Sequence, residues 1–378
     1  MRIAFLPDSF HEVNGVAHTA RNYTSYAQRH NVPFLCIRAG QQQPALQQHG
    51  SVLSLELPRS RLSVPIEKDL SFDPLFARHA RAVGYVLKQF RPDVIHITGP
   101  SELGILGAFF ARRHGIPLAA SWHTNVHEYA GRRLQALSRF LPALPRAAEA
   151  ASLSLTARFY RMARVLFAPN EELCELLERR TGRPAHRMPR GVDTDLFNPA
   201  RRTRPQDDGT FLLGYVGRLS VEKNVALLPT IQLDLRARGI ANTRFVIVGH
   251  GSEEAALRSA LPDAIFPGVL KGEALAQAYA DMDLFVFPSE TDTFGNVVLE
   301  ALASGVPALV TRGGGPKFIV LDNRTGLIRA PTEFTESIAG LLLSDQLRNM
   351  SSAARQNALT WSWDAVFDGV RQVYEQTF

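Results

Sequence analysis

No apolar run in this 378-residue chain approaches the roughly 20 residues that a membrane-spanning helix needs, so no helical span is expected. There are only two cysteines, Cys36 and Cys174, far apart and without metal-ligand spacing. They read as small core residues of a reducing compartment, which argues against both a disulfide scaffold and a zinc site. The amino terminus, MRIAFLPDSF, has one arginine and a short apolar stretch ending before Asp8. That is the pattern of a first strand rather than a signal peptide, and the expectation is a cytoplasmic protein. The loop that follows is neither G-x-G-x-x-G nor a Walker loop, so dinucleotide and P-loop readings lose support. No internal sequence repeat and no low-complexity tract is found. Acid is nearly missing from residues 131–166, which hold seven arginines and only Glu149.

The composition is that of an ordinary globular protein, with 45% hydrophobic and 21% charged residues. Charge is uneven: residues 1–200 carry a net +9 and residues 201–378 a net −3. A basic half suits an anionic surface or substrate, or merely an uneven solvated surface. Within 131–166, Leu155, Phe159, Met162 and Leu166 recur at helical spacing. So do Leu134, Leu137, Leu141 and Leu144, although Pro142 and Pro145 are expected to break that helix. Such a basic amphipathic stretch fits an anionic membrane surface, or a helix packed on its own domain with solvated arginines outside. Nucleic-acid binding is a further reading of the basic charge, but no recognition motif supports it.

Short apolar runs alternate with longer amphipathic ones. Strands are expected at 2–7, 32–37, 93–98, 117–122 and 164–169, with helices at 73–90, 101–114 and 171–180. The pattern restarts with strands at 211–217, 243–249, 284–289 and 306–311. Helices are expected near 222–238, 252–260, 273–280, 294–304 and 333–343. The alternation predicts an α/β protein with two doubly wound parallel sheets. Its domains are expected at about 1–195 and 211–360, joined by a polar, proline-containing linker at 196–210, with a closing helix at 361–378. Ligands of such folds bind at the carboxyl ends of the strands, so the loops there are the candidates.

Five loops qualify. DSFHEVNGV (8–16) has a tight turn at Asn14-Gly15 before a helix, where main-chain N–H groups can meet an anion. SWHTNVHEY (121–129) puts His123 at a strand end. His127 lies four residues on, but no third ligand is evident, so zinc is discounted. GRLSVEKN (217–224) brings two cations, Arg218 and Lys223, to one loop, a fork and a point charge suited to a diphosphate. SETDTFGNVVLEA (289–301) places Asp292 before a helix and Glu300 about two turns in, too far apart to share a proton but suited to hydroxyls on two parts of one long ligand. Asp292 as a cap and Glu300 as a helix charge is the plainer alternative. TRGGGPKF (311–318) exposes backbone amides around Gly314.

The ordered set NGV, SWHTN, RGVDTDLFNP, GRLSVEKN, VGHGS, SETDTFGNVVLEALASGVP and GGGP resembles glycosyltransferase family 4, retaining enzymes of GT-B fold, over nearly the whole chain. The subgroup most similar comprises GDP-mannose-dependent mannosyltransferases and sulfoquinovosyl-lipid synthases. The resemblance implies two Rossmann-like domains facing a cleft, with the nucleotide-sugar held by the second domain and a hydroxyl acceptor by the first. It also implies a closing helix that returns to the first domain. Arg218 and Lys223 match the diphosphate clamp, Gly15 with Asn14 the phosphate-approaching loop, and His123 the histidine near the reaction centre. Phe294, Gly295 and Asn296 match backbone donors at the helix start. Val269, Leu270 and Lys271 fall where the base is held, near Gly249. The family signature E-x7-E is Asp292-x7-Glu300 here, with Asp292 on the donor sugar and Glu300 on the ribose. No cofactor or metal is implied. The partners expected are a nucleotide-sugar donor, a hydroxyl acceptor that is lipid-linked in some relatives, and an anionic membrane surface along 131–166. A sugar-nucleotide 2-epimerase and a non-catalytic nucleotide-sugar-binding protein share these features and remain alternatives.

Overall fold

The computed structural model describes residues 1–378 except 13–14, 41–42, 68–69, 123–143, 206–207 and 293. The chain divides into two compact units, Met1–Pro189 with Trp363–Phe378, and Arg190–Ser362. The seam therefore lies six residues before the expected 195. Residues 196–210, read as linker from their polarity, pack within the second unit. There Arg202 and Arg204 each bond Asp283, at 2.9 and 2.8 Å, and Thr203 bonds Asp281.

The first unit is built on an eight-stranded sheet. From edge to edge the strands are Ala185–Arg187, Val165–Ala168, Leu118–Ser121, Val94–Ile97, Ile3–Leu6, Phe34–Gly40, Val52–Pro58 and Ala45–His49. All neighbours are parallel except the last pair. Successive side chains of a strand face opposite sides. Ala4 and Leu6 accordingly join one core with Leu35, Ile37, Ile95 and Leu166, under the helices Ala80–Phe90, Glu102–His114 and Glu171–Thr181. Ile3 and Phe5 join the other with Phe34, Val94 and Phe167. This is why the strands read as continuous apolar runs rather than as alternations.

The second core is completed by the helix Gly15–Arg29 and the closing helix Trp363–Thr377. Phe367 stacks on Tyr23 at 4.3 Å, and Asp364 bonds His30 at 2.9 Å. Tyr374 bonds the fully buried His96, whose other ring nitrogen meets Ser121 Oγ at 2.9 Å.

The basic segment departs from expectation. The helix Leu144–Tyr160 runs through Pro145, which falls in its first turn, where no N–H is missed. The predicted stripe does not form. Leu155 and Met162 are exposed, and Leu166 belongs to a buried strand beyond the helix. Helical spacing was carried across a helix end that the sequence did not mark.

Among its described residues the second unit has six strands, all parallel, in the spatial order Ile265–Gly268, Thr243–Val248, Phe211–Val216, Leu284–Phe287, Ala308–Thr311 and Gly326–Arg329. In chain order this is 3-2-1-4-5-6, the doubly wound order in which ligands lodge where the winding reverses. The reversal lies between Phe211–Val216 and Leu284–Phe287. Those two strands end at the loops GRLSVEKN and SETDTFGN.

Candidate active site

Three loops of the second unit converge at this reversal. Gly217 continues the strand Phe211–Val216 by donating to Val248 O at 3.0 Å. Its neighbour Gly249 leaves no room for a side chain, since a Cβ there would stand 1.9 Å from Gly217 O. The Tyr215 hydroxyl donates to the Arg218 carbonyl at 2.9 Å, and Leu219 is fully buried, so the backbone of Arg218 is fixed. A short turn, Val221–Lys223, then carries Lys223 inward. Thr291 Oγ1 donates to Glu222 O at 3.1 Å and ties this loop to the next. The third loop closes on the second, with Gly315 N donating to Asp292 O at 2.6 Å and Thr311 Oγ1 to Ser289 O at 2.8 Å. Gly314 sits in the left-handed region against that same Asp292 carbonyl.

Lys223 Nζ and Asp292 Oδ2 meet at 2.6 Å, with the two side chains 20% and 28% exposed. One belongs to the expected clamp and the other to the expected sugar grip, and the structure pairs them with each other. Arg218 stands apart, 74% exposed and 3.8 Å from Glu222. The helix expected near Phe294 starts at Asn296 and ends at Ala303, because Gly295 adopts a left-handed φ of 95°. Its eight residues suffice to direct free N–H groups at an anion. Asn296 Oδ1 and Ser289 Oγ are buried there with no described partner.

Glu300, one turn into this helix, accepts from the Tyr279 hydroxyl at 3.0 Å. Burial pushes its carboxyl up to about 7, while the Tyr279 bond pulls the other way. Val269 is exposed, Leu270 is partly buried and Lys271 precedes the helix Gly272–Ala280; with Gly249 they occupy the same carboxyl edge of the sheet. Gly15 opens its helix in the first unit. Asn14 and His123 lie outside the described residues. Among the described residues no group of three or more His, Cys, Asp or Glu is gathered to hold a metal ion.

Two participants were not foreseen. Tyr279 orients Glu300, and nothing in its helix marks it as different from a core aromatic. Arg190 was legible only as part of RGVDTDLFNP. In the first unit, Asp8 was in view as a loop residue, but its cluster with Arg59, Glu12 and Glu102 joins residues up to 94 positions apart and has no local signal.

Residues 13–196 match the profile described as Glycosyltransferase Family 4, and residues 210–344 that described as Glycosyl transferases group 1. A GDP-mannose-dependent alpha-mannosyltransferase of Mycobacterium tuberculosis (strain CDC 1551 / Oshkosh) is 38% identical over 296 residues, 76% of this chain and 74% of that protein. One from Mycolicibacterium smegmatis is 35% identical over 99% of this chain and 97% of its own length.

The chain belongs to glycosyltransferase family 4.

It is thus an enzyme of the hexosyltransferase kind. Solved structures agree on the fold. Sucrose-phosphate synthase from Thermosynechococcus elongatus superposes with a TM-score of 0.70 over 100% of this chain and 99% of that one, at 18% identity. The Anabaena protein Alr3699/HepE, in complex with UDP-glucose, gives 0.62 over 100% of both chains, also at 18% identity. This glycosyltransferase therefore has the GT-B fold, with its converging loops at the reversal of the second sheet.

Proposed function

We propose that this glycosyltransferase moves a hexose, with retention, from a nucleoside-diphosphate sugar to a hydroxyl acceptor, and that GDP-mannose is the favoured donor. The observation that carries the reading is the placement of the loop bearing Arg218 and Lys223 beside the mouth of the helix Asn296–Ala303 at one strand-end reversal. A mobile cation, a planar cation and aligned N–H groups together suit a diphosphate. The preference for GDP-mannose rests on the names of the relatives that cover most of the chain.

The Lys223–Asp292 pair suggests how the site accepts its donor. An incoming diphosphate competes for the ammonium, and the displaced carboxylate is then free to accept hydroxyls of the sugar. The shorter aspartate in place of glutamate is compatible with this exchange, since it already reaches Lys223. Glu300, held by Tyr279, takes the ribose hydroxyls. Arg218 and Lys223 stabilise the departing diphosphate as the sugar gains oxocarbenium character. The acceptor hydroxyl attacks from the leaving-group face and gives its proton to a phosphate oxygen. No protein nucleophile or metal is required by this scheme.

Lipid-linked acceptors are favoured by the basic character of 131–166 and by relatives such as the GDP-mannose-dependent alpha-(1-6)-phosphatidylinositol dimannoside mannosyltransferase of Mycobacterium tuberculosis (strain ATCC 25177 / H37Ra), 28% identical over 75% of this chain. No described helix is long and apolar enough to cross a membrane, so attachment would be peripheral. Flotation with anionic and neutral vesicles tests this; equal recovery with both, or with neither, contradicts it.

A thermal-shift screen of GDP-, UDP- and ADP-sugars tests the donor, because selective binding stabilises the native state. GDP-mannose is expected to raise the melting temperature most. Arg218→Ala should then slow transfer by about 2–4 kcal/mol of barrier with little change in melting temperature, as for other preorganised donors. Unchanged turnover in Arg218→Ala and Lys223→Ala enzymes removes the clamp from the mechanism.

A further inference from the structure

Of the family-like motifs, RGVDTDLFNP (190–199) is the one without a role at the site. Almost every member has a structural task. Val192 N donates to Trp361 O at 2.9 Å. Asp193 Oδ1 accepts from the N–H groups of Asp195 and Leu196 at 3.1 and 2.9 Å. Phe197 is buried edge-on against Tyr279, the residue that holds Glu300. Asn198 caps the turn Pro199–Arg201. Arg355 fastens the motif to the helix of the candidate site, donating to Thr194 O at 3.0 Å, Phe197 O at 2.8 Å and Ala303 O at 2.7 Å. The head of the motif is therefore held in a set position relative to Asn296–Ala303.

Arg190 stands at that head and has no such task. Among the described residues none accepts a hydrogen bond from it or forms an ion pair with it. It lies over Phe294, its guanidinium carbon 5.9 Å from the ring centroid. Burial pulls its pKa down, and the nearby charge of Asp292 opposes this. Asp292 does not bond it; the Oδ2 of that carboxylate is engaged by Lys223 at 2.6 Å. Arg190 is only partly exposed and gives none of its donors to a protein acceptor among the described residues, so they are open to a binding partner. Lys223 and Asp292 largely cancel, and the exposed Arg218 is screened by solvent and by Glu222. Arg190 is thus a cation of this site that is partly withdrawn from water and paired with no described protein acceptor.

We propose that Arg190 is a direct ligand of the donor's diphosphate, a third cation beside Arg218 and Lys223. This rests on the nucleotide-sugar reading above. A guanidinium is a planar fork that matches two phosphate oxygens. Phe294, over which the guanidinium lies, directly precedes Gly295 and Asn296, so side chain and helix N–H groups can address one anion. The remaining motif residues serve to hold that fork still.

The test is calorimetric titration of wild type, Arg190→Gln and Arg190→Lys with guanosine, GDP and GDP-mannose. If UDP or ADP is the nucleotide that stabilises the wild type, the corresponding series replaces these. Arg190→Gln should bind the diphosphate and the sugar diphosphate about 10- to 100-fold more weakly, with nucleoside binding unchanged and part of the loss recovered in Arg190→Lys. Its melting temperature should stay close to that of wild type, since no described protein group loses a hydrogen bond or an ion pair. Diphosphate affinity equal to wild type overturns the proposal. So does a loss confined to the sugar diphosphate, which moves Arg190 onto the hexose. A lowered melting temperature with nucleoside and diphosphate weakened alike assigns it a structural role instead. If the wild type binds no nucleoside diphosphate, the donor reading fails and Arg190 falls with it. If the wild type binds and the variants bind equally, only Arg190 fails.

Discussion

Each unit of the molecule has a place where its parallel winding reverses, and the two places are furnished in opposite ways. In the first unit it lies between Ile3–Leu6 and Val94–Ile97. There Arg59 bonds Glu102 at 2.7 Å and Glu12 at 2.9 Å, and Asp8 accepts from Ser101 Oγ at 2.6 Å. Asp8 N donates to Thr98 Oγ1 at 2.7 Å, and burial pushes the Asp8 carboxyl up to about 6. In the second unit the same place holds a shared Lys223–Asp292 pair, a solvent-facing Arg218 and an Arg190 without acceptors. One reversal gathers three acids around Arg59, and the other leaves Arg190 without a described protein acceptor. A shared reversal of winding thus marks where ligands can lodge in each sheet, while side-chain pairing makes the two places differ in charge.

That contrast makes stability the sensitive readout in the first unit and binding in the second. The largest effect should come from Arg59→Met, which strands the buried Glu102 and the partly buried Glu12 without a counter-ion. A loss of about 3–5 kcal/mol is expected in urea unfolding, with most of it regained when both glutamates are also changed to glutamine. A loss below about 1 kcal/mol would mean that the cluster holds little more than a surface pair.

A smaller cost, about 1–2 kcal/mol, is expected for Gly295→Ala. The residue has φ 95°, and its new Cβ would stand 2.9 Å from Pro316 Cγ. Diphosphate binding should weaken with it, because the helix mouth turns on that residue. Unchanged folding and binding would show that the left-handed turn is dispensable.

The mildest effect concerns Glu300. Its folded pKa lies above the ordinary carboxylate value, so the folded state keeps a proton that the unfolded state releases. Stability should therefore fall as pH rises from the ordinary carboxylate range and level off above about 7. Glu300→Gln should flatten part of that slope, and Asp8→Asn a part centred lower. Parallel melting-temperature curves for wild type and Glu300→Gln would contradict the assignment.

Much of this was open to inspection before the chain was folded. The α/β class and the placement of Arg218, Lys223, Asp292 and Glu300 after strands follow from local hydrophobic period and turn residues, which act over a few positions. Strands of weaker pattern escaped, among them Ala45–His49, whose residues are mostly exposed at a sheet edge, and Ala185–Arg187. The stripe through Leu155, Met162 and Leu166 misled because spacing alone does not say where a helix stops.

Sequence by itself determined the alternation of elements, the loops that reach the strand ends and the family to which they belong, since each is written in neighbouring residues. Only the tertiary structure decided that Lys223 would meet Asp292, that Tyr279 would hold Glu300, that Arg59 would gather two distant acids and that Arg190 would be left without an acceptor. These are pairings between segments remote along the chain. They depend on strand order and on where burial removes water, which no local pattern encodes.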